Sequence, residues 1–174
     1  MGRNARRPGE IDGRAGVAKV YRILGYLIAA EVAVLAAAIA FASFGFSNWI
    51  DNGGVADLAT FESDDTSFTG FVGYSFHGVN GALYIPILSL AFLGFSFFAR
   101  SVPGGVTWAA IVIGLVAFQV FLGFASHSYV GLGALHGINA FALFVCALHA
   151  ARRVTVRVQV PDQQSQAADG GRTR

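Results

Sequence analysis

From Ile23 to Phe46 the chain passes twenty-four residues with one charged side chain, Glu31. Three further stretches, about Phe71 to Phe98, Val106 to Ala125 and Val130 to Ala151, carry no Asp, Glu, Lys or Arg. A helix needs roughly 20 apolar residues to cross the hydrocarbon of a bilayer, and each stretch is that long. Lipid leaves a lone strand's backbone groups unsatisfied, and four strands are too few to close a barrel. The expectation is therefore an all-α integral membrane protein with four spans. Composition agrees: 13% of the 174 residues are charged, against about 25% in a water-soluble domain. The first stretch exceeds the apolar core of a signal peptide, about 7–15 residues, and so reads as a true span.

The charges set an orientation. Every Lys and Arg lies before the first span, in the connection between the second and third, or after the fourth. The connection between the first and second spans carries Asp51, Asp57, Glu62, Asp64 and Asp65 and no basic residue. Basic flanks stay on the cytoplasmic side, so both termini are expected there. Short turns between consecutive spans predict an up-down-up-down four-helix bundle. The basic flanks are topogenic on this reading, and no nucleic-acid partner is expected. Residues 1–18 read as a flexible basic leader, 19–157 as the transmembrane domain, and 158–174 as a disordered tail. Asp64-Asp65-Thr66-Ser67 suits a helix N-cap before the second span. Pro86 is expected to kink that span by freeing the carbonyl of Ala82. Ala29, Ala33 and Ala37 in the first span, with Gly114 and Gly123 in the third, would let helices approach closely. Cys146 is the lone cysteine, so no intramolecular disulfide is possible.

Two spans open with the same phrase. His77-Gly78-Val79-Asn80-Gly81 begins the second, and His136-Gly137-Ile138-Asn139-Ala140 begins the fourth. Both spans should run from outside to inside, which places both imidazoles at matched depth near the outer face. Haem iron takes imidazole ligands from facing helices. The small residues Gly78, Gly81, Gly137 and Ala140 leave a shallow surface beside each histidine, since i+4 shares its face and i+1 lies about 100° round. Asn80 and Asn139, at i+3, would meet a propionate, a water or a backbone carbonyl. Phe76, Phe121 and Phe141 suit the edge of a macrocycle. A plainer reading is a polar clasp between helices, worth about 0.6–2 kcal/mol per hydrogen bond.

The remaining polar residues limit the site to one haem. His149 lies thirteen residues past His136, about 20 Å further along a helix, and no second histidine pairs with it. His127, at the outer end of the third span, reads as a third ligand, a propionate partner, a proton donor or an interfacial residue with no task. With His77 and His136 it would also suit a Zn or Cu site. Glu31 is the sole acid within a span, a candidate to relay protons, bind a quinone hydroxyl or remain protonated. Gln119 is expected to bond a neighbouring helix or a water.

The run Gln119-Val120-Phe121-Leu122-Gly123, followed by the His136 phrase, resembles one four-helix half of haem A synthase. The resemblance covers about residues 70 to 150. It implies a Gln-x-x-Leu-Gly stretch in the third helix, histidines near the outer face in the second and fourth, and haem ligation by His77 and His136. Tyr74 and Ser75 stand where the synthase has a Glu linked to substrate oxidation. The outer-loop cysteine pair of many members is missing, and only one half is present. What the resemblance implies is thus the half that holds haem b, without synthase activity. The chain also resembles small four-helix bacterial membrane proteins with the same phrases, which implies a bacterial inner membrane.

These readings predict a small b-type membrane cytochrome with one haem b between the second and fourth helices, an electron carrier more than a catalyst. The expected partners are the lipid bilayer, a quinone or redox protein, and a second copy of the chain. The alternatives are a haem-free accessory subunit of a larger membrane complex and the outer-face Zn or Cu site.

Overall fold

A computed structural model describes residues 8–57 and 68–154. Four helices are long and apolar enough to cross a membrane: α1 (Pro8–Asp51), α2 (Phe71–Ser96), α3 (Gly105–Ala125) and α4 (Leu132–Arg152). This is the pattern of a multi-pass membrane protein, and no strand occurs among the described residues. The anticipated Asp64–Ser67 cap, residues 1–7 and the tail beyond residue 154 lie outside the described residues.

α1 extends past the expected span at both ends. It starts at Pro8, inside the stretch read as a flexible leader. Proline suits a first helical position, where its missing N–H costs nothing. The other end is set by Gly53, which takes φ 93°. Gly53 N–H donates to the Ile50 carbonyl and Gly54 N–H to the Trp49 carbonyl, each at 3.0 Å. These two bonds close a Schellman motif on the last carbonyls of the helix. The apolar part of α1, Ala15–Asp51, has 37 residues. At the helical rise it measures about 55 Å, against a hydrocarbon core of about 30 Å.

α2 is interrupted. Asn80–Tyr84 form a π-helical turn, and Ile85 N–H donates to the Asn80 carbonyl, five residues back. Pro86 follows at once and has no N–H to give. The expected disturbance is thus present as a widened turn on the N-terminal side of the proline. Such single turns are where a helix absorbs an irregularity without breaking.

α1 packs on α2 and α4, and α3 packs on α2 and α4. The α1 seam repeats every seven residues through Tyr21, Ile28, Leu35 and Ala42, all buried. That repeat keeps one stripe facing neighbours that cross at a shallow angle. The alanine stripe expected to make close contacts is not the seam: Ala29 is buried, whereas Ala33 and Ala37 are exposed. Close approach comes from glycines. A Cβ on Gly73 would stand 2.5 Å from the Ala38 carbonyl oxygen, and one on Gly25 would stand 3.0 Å from the Ala151 Cβ. Gly114 meets nothing within 4 Å and does no packing. Large apolar side chains such as Phe44, Phe98 and Val130 point outward, as lipid-facing positions do.

One end of the bundle is tightly closed. Tyr21 is wholly buried, lies 4.5 Å from Phe92 between ring centres, and donates its hydroxyl to the Gly105 carbonyl at 3.0 Å. His149 belongs to this end. Its ring lies 4.3 Å from that of Trp108, and its Nε2 accepts from Arg153 Nε at 3.1 Å. The Arg153 guanidinium also covers the Trp108 ring at 5.4 Å and donates to the Pro103 carbonyl.

Candidate functional site

The other half of the bundle holds the two histidine phrases. His77 Nδ1 lies 2.9 Å from the Leu35 carbonyl on α1. His136 Nδ1 lies 3.1 Å from the Gln119 carbonyl on α3. A carbonyl oxygen only accepts, so in both rings Nδ1 carries the hydrogen. That tautomer leaves Nε2 with a free lone pair. The ring centres are 6.1 Å apart with planes inclined at 55°.

This arrangement reveals a pairing absent from the expectation, which matched only the second and fourth spans. The histidine on α2 is held by a carbonyl of α1, and the histidine on α4 by a carbonyl of α3. Each two-helix unit presents one oriented imidazole towards the other unit. Backbone donors and acceptors carry no residue signature, so Leu35 could not be singled out from the sequence.

Between the units lies a cavity of about 760 Å³ lined by all four helices, within the range of roughly 300–1,000 Å³ typical of small-molecule and cofactor sites. His77, Gly78, Gly81, His136, Gly137 and Ala140 line it, as do Gln119 and His127. A Cβ on Gly78 or Gly137 would meet no atom within 4 Å, so the absence of side chains there opens the space and relieves no contact. Gly123 has a different task. A Cβ there would stand 3.4 Å from His136 Cε1, so the imidazole lies directly against α3 at this position, with room for little beyond a Cβ. Gly81 faces Leu35, with its Cδ1 3.8 Å from where a Cβ would be.

Asn80, Asn139 and Glu31 do not line the cavity. Of the three partners considered for the asparagines, both take a backbone carbonyl. Asn139 reaches across to α3, donating to the Leu115 carbonyl at 3.0 Å and to Gln119 Oε1 at 2.6 Å. Asn80 turns back on its own helix, to the Phe76 carbonyl at 2.9 Å. Phe141 lines the cavity, while Phe76 and Phe121 lie outside its lining. Phe124 and Phe144 take that place, together with Ala33 and Ala36 from the first span. Of the alanines read as packing residues, Ala33 faces the open space instead.

His127 lines the cavity but does not join His77 and His136 as a third ligand. Among the described residues no three His, Cys, Asp or Glu side chains gather closely enough to hold a metal ion. The three-histidine Zn or Cu site is therefore not assembled. No family model, curated protein or solved structure matches the chain.

Two imidazoles that share one metal ion need a set ring separation. Two metal–imidazole bonds of about 2 Å each, plus the distance from ring centre to rim on both sides, add to about 6 Å. The 6.1 Å separation fits that sum.

Proposed function

We propose that the chain is a small b-type membrane cytochrome that holds one haem b between α2 and α4. The observation that carries this reading is the pair of imidazoles 6.1 Å apart across a cavity, each tied through Nδ1 to a neighbouring helix. Metal-ligating histidines commonly donate their other N–H to a backbone carbonyl, which fixes the ring and raises ligand basicity. His77 and His136 would hold the iron of a macrocyclic group that the chain does not itself supply. Bound there, the haem would supply one-electron transfer.

The chain's own contribution is orientation and exclusion. Leu35 and Gln119 hold the ligand tautomers, Gly123 seats the His136 ring, and Gly78 and Gly137 keep the faces clear. The resemblance to one half of haem A synthase agrees with haem ligation at His77 and His136, without synthase activity.

The fold is read as an up-down-up-down bundle with both termini in the cytoplasm of a bacterial cell. The contacts of Tyr21 with Gly105 and of Gly25 with Ala151 support this. They gather the stretches that carry Lys19, Arg22, Arg100, Arg152 and Arg153 at one end, where basic residues favour the cytoplasmic face. The haem then lies nearer the outer face, within reach of a quinone or a redox protein.

The test is the absorption spectrum of the purified full chain. A Soret band with reduced b-type bands is expected, and His77→Ala and His136→Ala should each abolish the six-coordinate spectrum. A colourless protein after haem-supplemented expression sinks the reading. It would favour a haem-free packing subunit, for which the Asn139–Gln119 bond is the clasp.

A further inference from the structure

The cavity changes character along its length. At the level of Val32, Ile85, Val116 and Leu143 its lining is aliphatic, and these four side chains belong to the buried core. Polar lining comes from the histidine layer and, at the end of α3, from Ser126 and His127. Ser126 is already engaged, its hydroxyl donating to the Gly123 carbonyl at 2.7 Å. His127 is exposed at this rim, and no partner among the described residues holds its ring. It sits just past the last turn of α3, whose terminal carbonyls favour a donor or cationic side chain nearby. An exposed imidazole at an open rim, above an aliphatic floor, matches a ligand with an apolar edge and an acidic edge.

We propose that His127 receives the carboxylate edge of the ligand gripped by His77 and His136, so that a macrocycle with acid groups on one edge enters in a single orientation. Its carboxylates then face Ser126 and His127, and its apolar edge faces Val32, Ile85 and Val116. The role is positioning: His127 touches the acid arm and not the iron. The proposal rests on the haem reading and names the polar contact that reading leaves open.

The experiment titrates the full-length protein, purified without haem in detergent, with haemin and separately with haemin dimethyl ester, following the Soret band. The ester keeps the iron and the ring but removes the carboxylate charges. His127→Phe should weaken haemin binding about 10-fold, the loss expected for a hydrogen bond to a charged group. The same variant should leave ester binding unchanged, and His127→Lys should restore the haemin affinity. If His127→Phe weakens both ligands equally, or neither, the proposal is overturned. If the wild-type chain shifts the Soret band of neither ligand, the haem reading itself fails and this proposal falls with it.

Discussion

The two halves of the bundle use the same four helices in opposite ways. At the basic end, Tyr21 fills the centre, packs its ring against Phe92 and bonds to the Gly105 carbonyl. Interiors packed to that density leave no room for a ligand. At the histidine end, the residues facing the centre include Ala33, Ala36, Gly78, Gly81, Gly137 and Ala140, and the space between the helices stays open. The difference is one of side-chain size on a continuous seam, and it separates a packed half from an open one.

The largest expected effect breaks the closed half. Tyr21→Ala removes a wholly buried ring and its hydrogen bond to α3. A loss of about 3 kcal/mol is expected by comparison with other aromatic truncations in cores, measured by denaturant titration in mixed micelles. Haem affinity of the folded fraction should be unchanged. A large fall in affinity with it would mean that the two halves are coupled, and the division of labour would be wrong.

The next effect falls on the open half alone. Gly123→Val places methyl groups against the His136 imidazole, which lies 3.4 Å from where a Cβ would stand. The ring must then swing away from the Gln119 carbonyl that orients it. Haemin binding should fall about 100-fold, equivalent to about 2.7 kcal/mol, while unfolding in mixed micelles shifts little. An unchanged affinity would show that His136 is not held against α3 when the ligand is present.

The sequence made the spans, their four-fold number and the two histidine phrases legible, because apolar length and residue repeats are written in side chains. It also marked Gly123, through the Gln119–Gly123 run. The floor of the site was hidden for a physical reason. Leu35 acts through its carbonyl oxygen, an atom every residue possesses. Ala33 looked like a helix-packing residue and Ala36 carried no signal, since small side chains look alike whether a helix or a cavity lies beyond them. The π-helical turn at Asn80–Tyr84 was signalled by Pro86, but a proline announces a disturbance and not its form.

The smallest effect tests whether matched phrases imply matched roles. Asn80 and Asn139 occupy the same place in their phrases, yet their partners differ because the opposing helices differ. Gln119 orients His136 by its carbonyl and offers Asn139 its side-chain oxygen. Leu35 orients His77 in the same way, but it has no side-chain acceptor, and Asn80 turns to the Phe76 carbonyl within its own helix. Asn139→Leu therefore removes two bonds between α4 and α3, whereas Asn80→Leu removes one local bond. A loss of about 1 kcal/mol is expected for Asn139→Leu, given the usual strength of hydrogen bonds between membrane helices. The change for Asn80→Leu should stay within about 0.5 kcal/mol, as for substitutions away from networks. Both are read from denaturant titrations in the same micelles. Equal losses would mean that Asn80 also clasps a neighbour, and the two units would be closer copies than their hydrogen bonds make them.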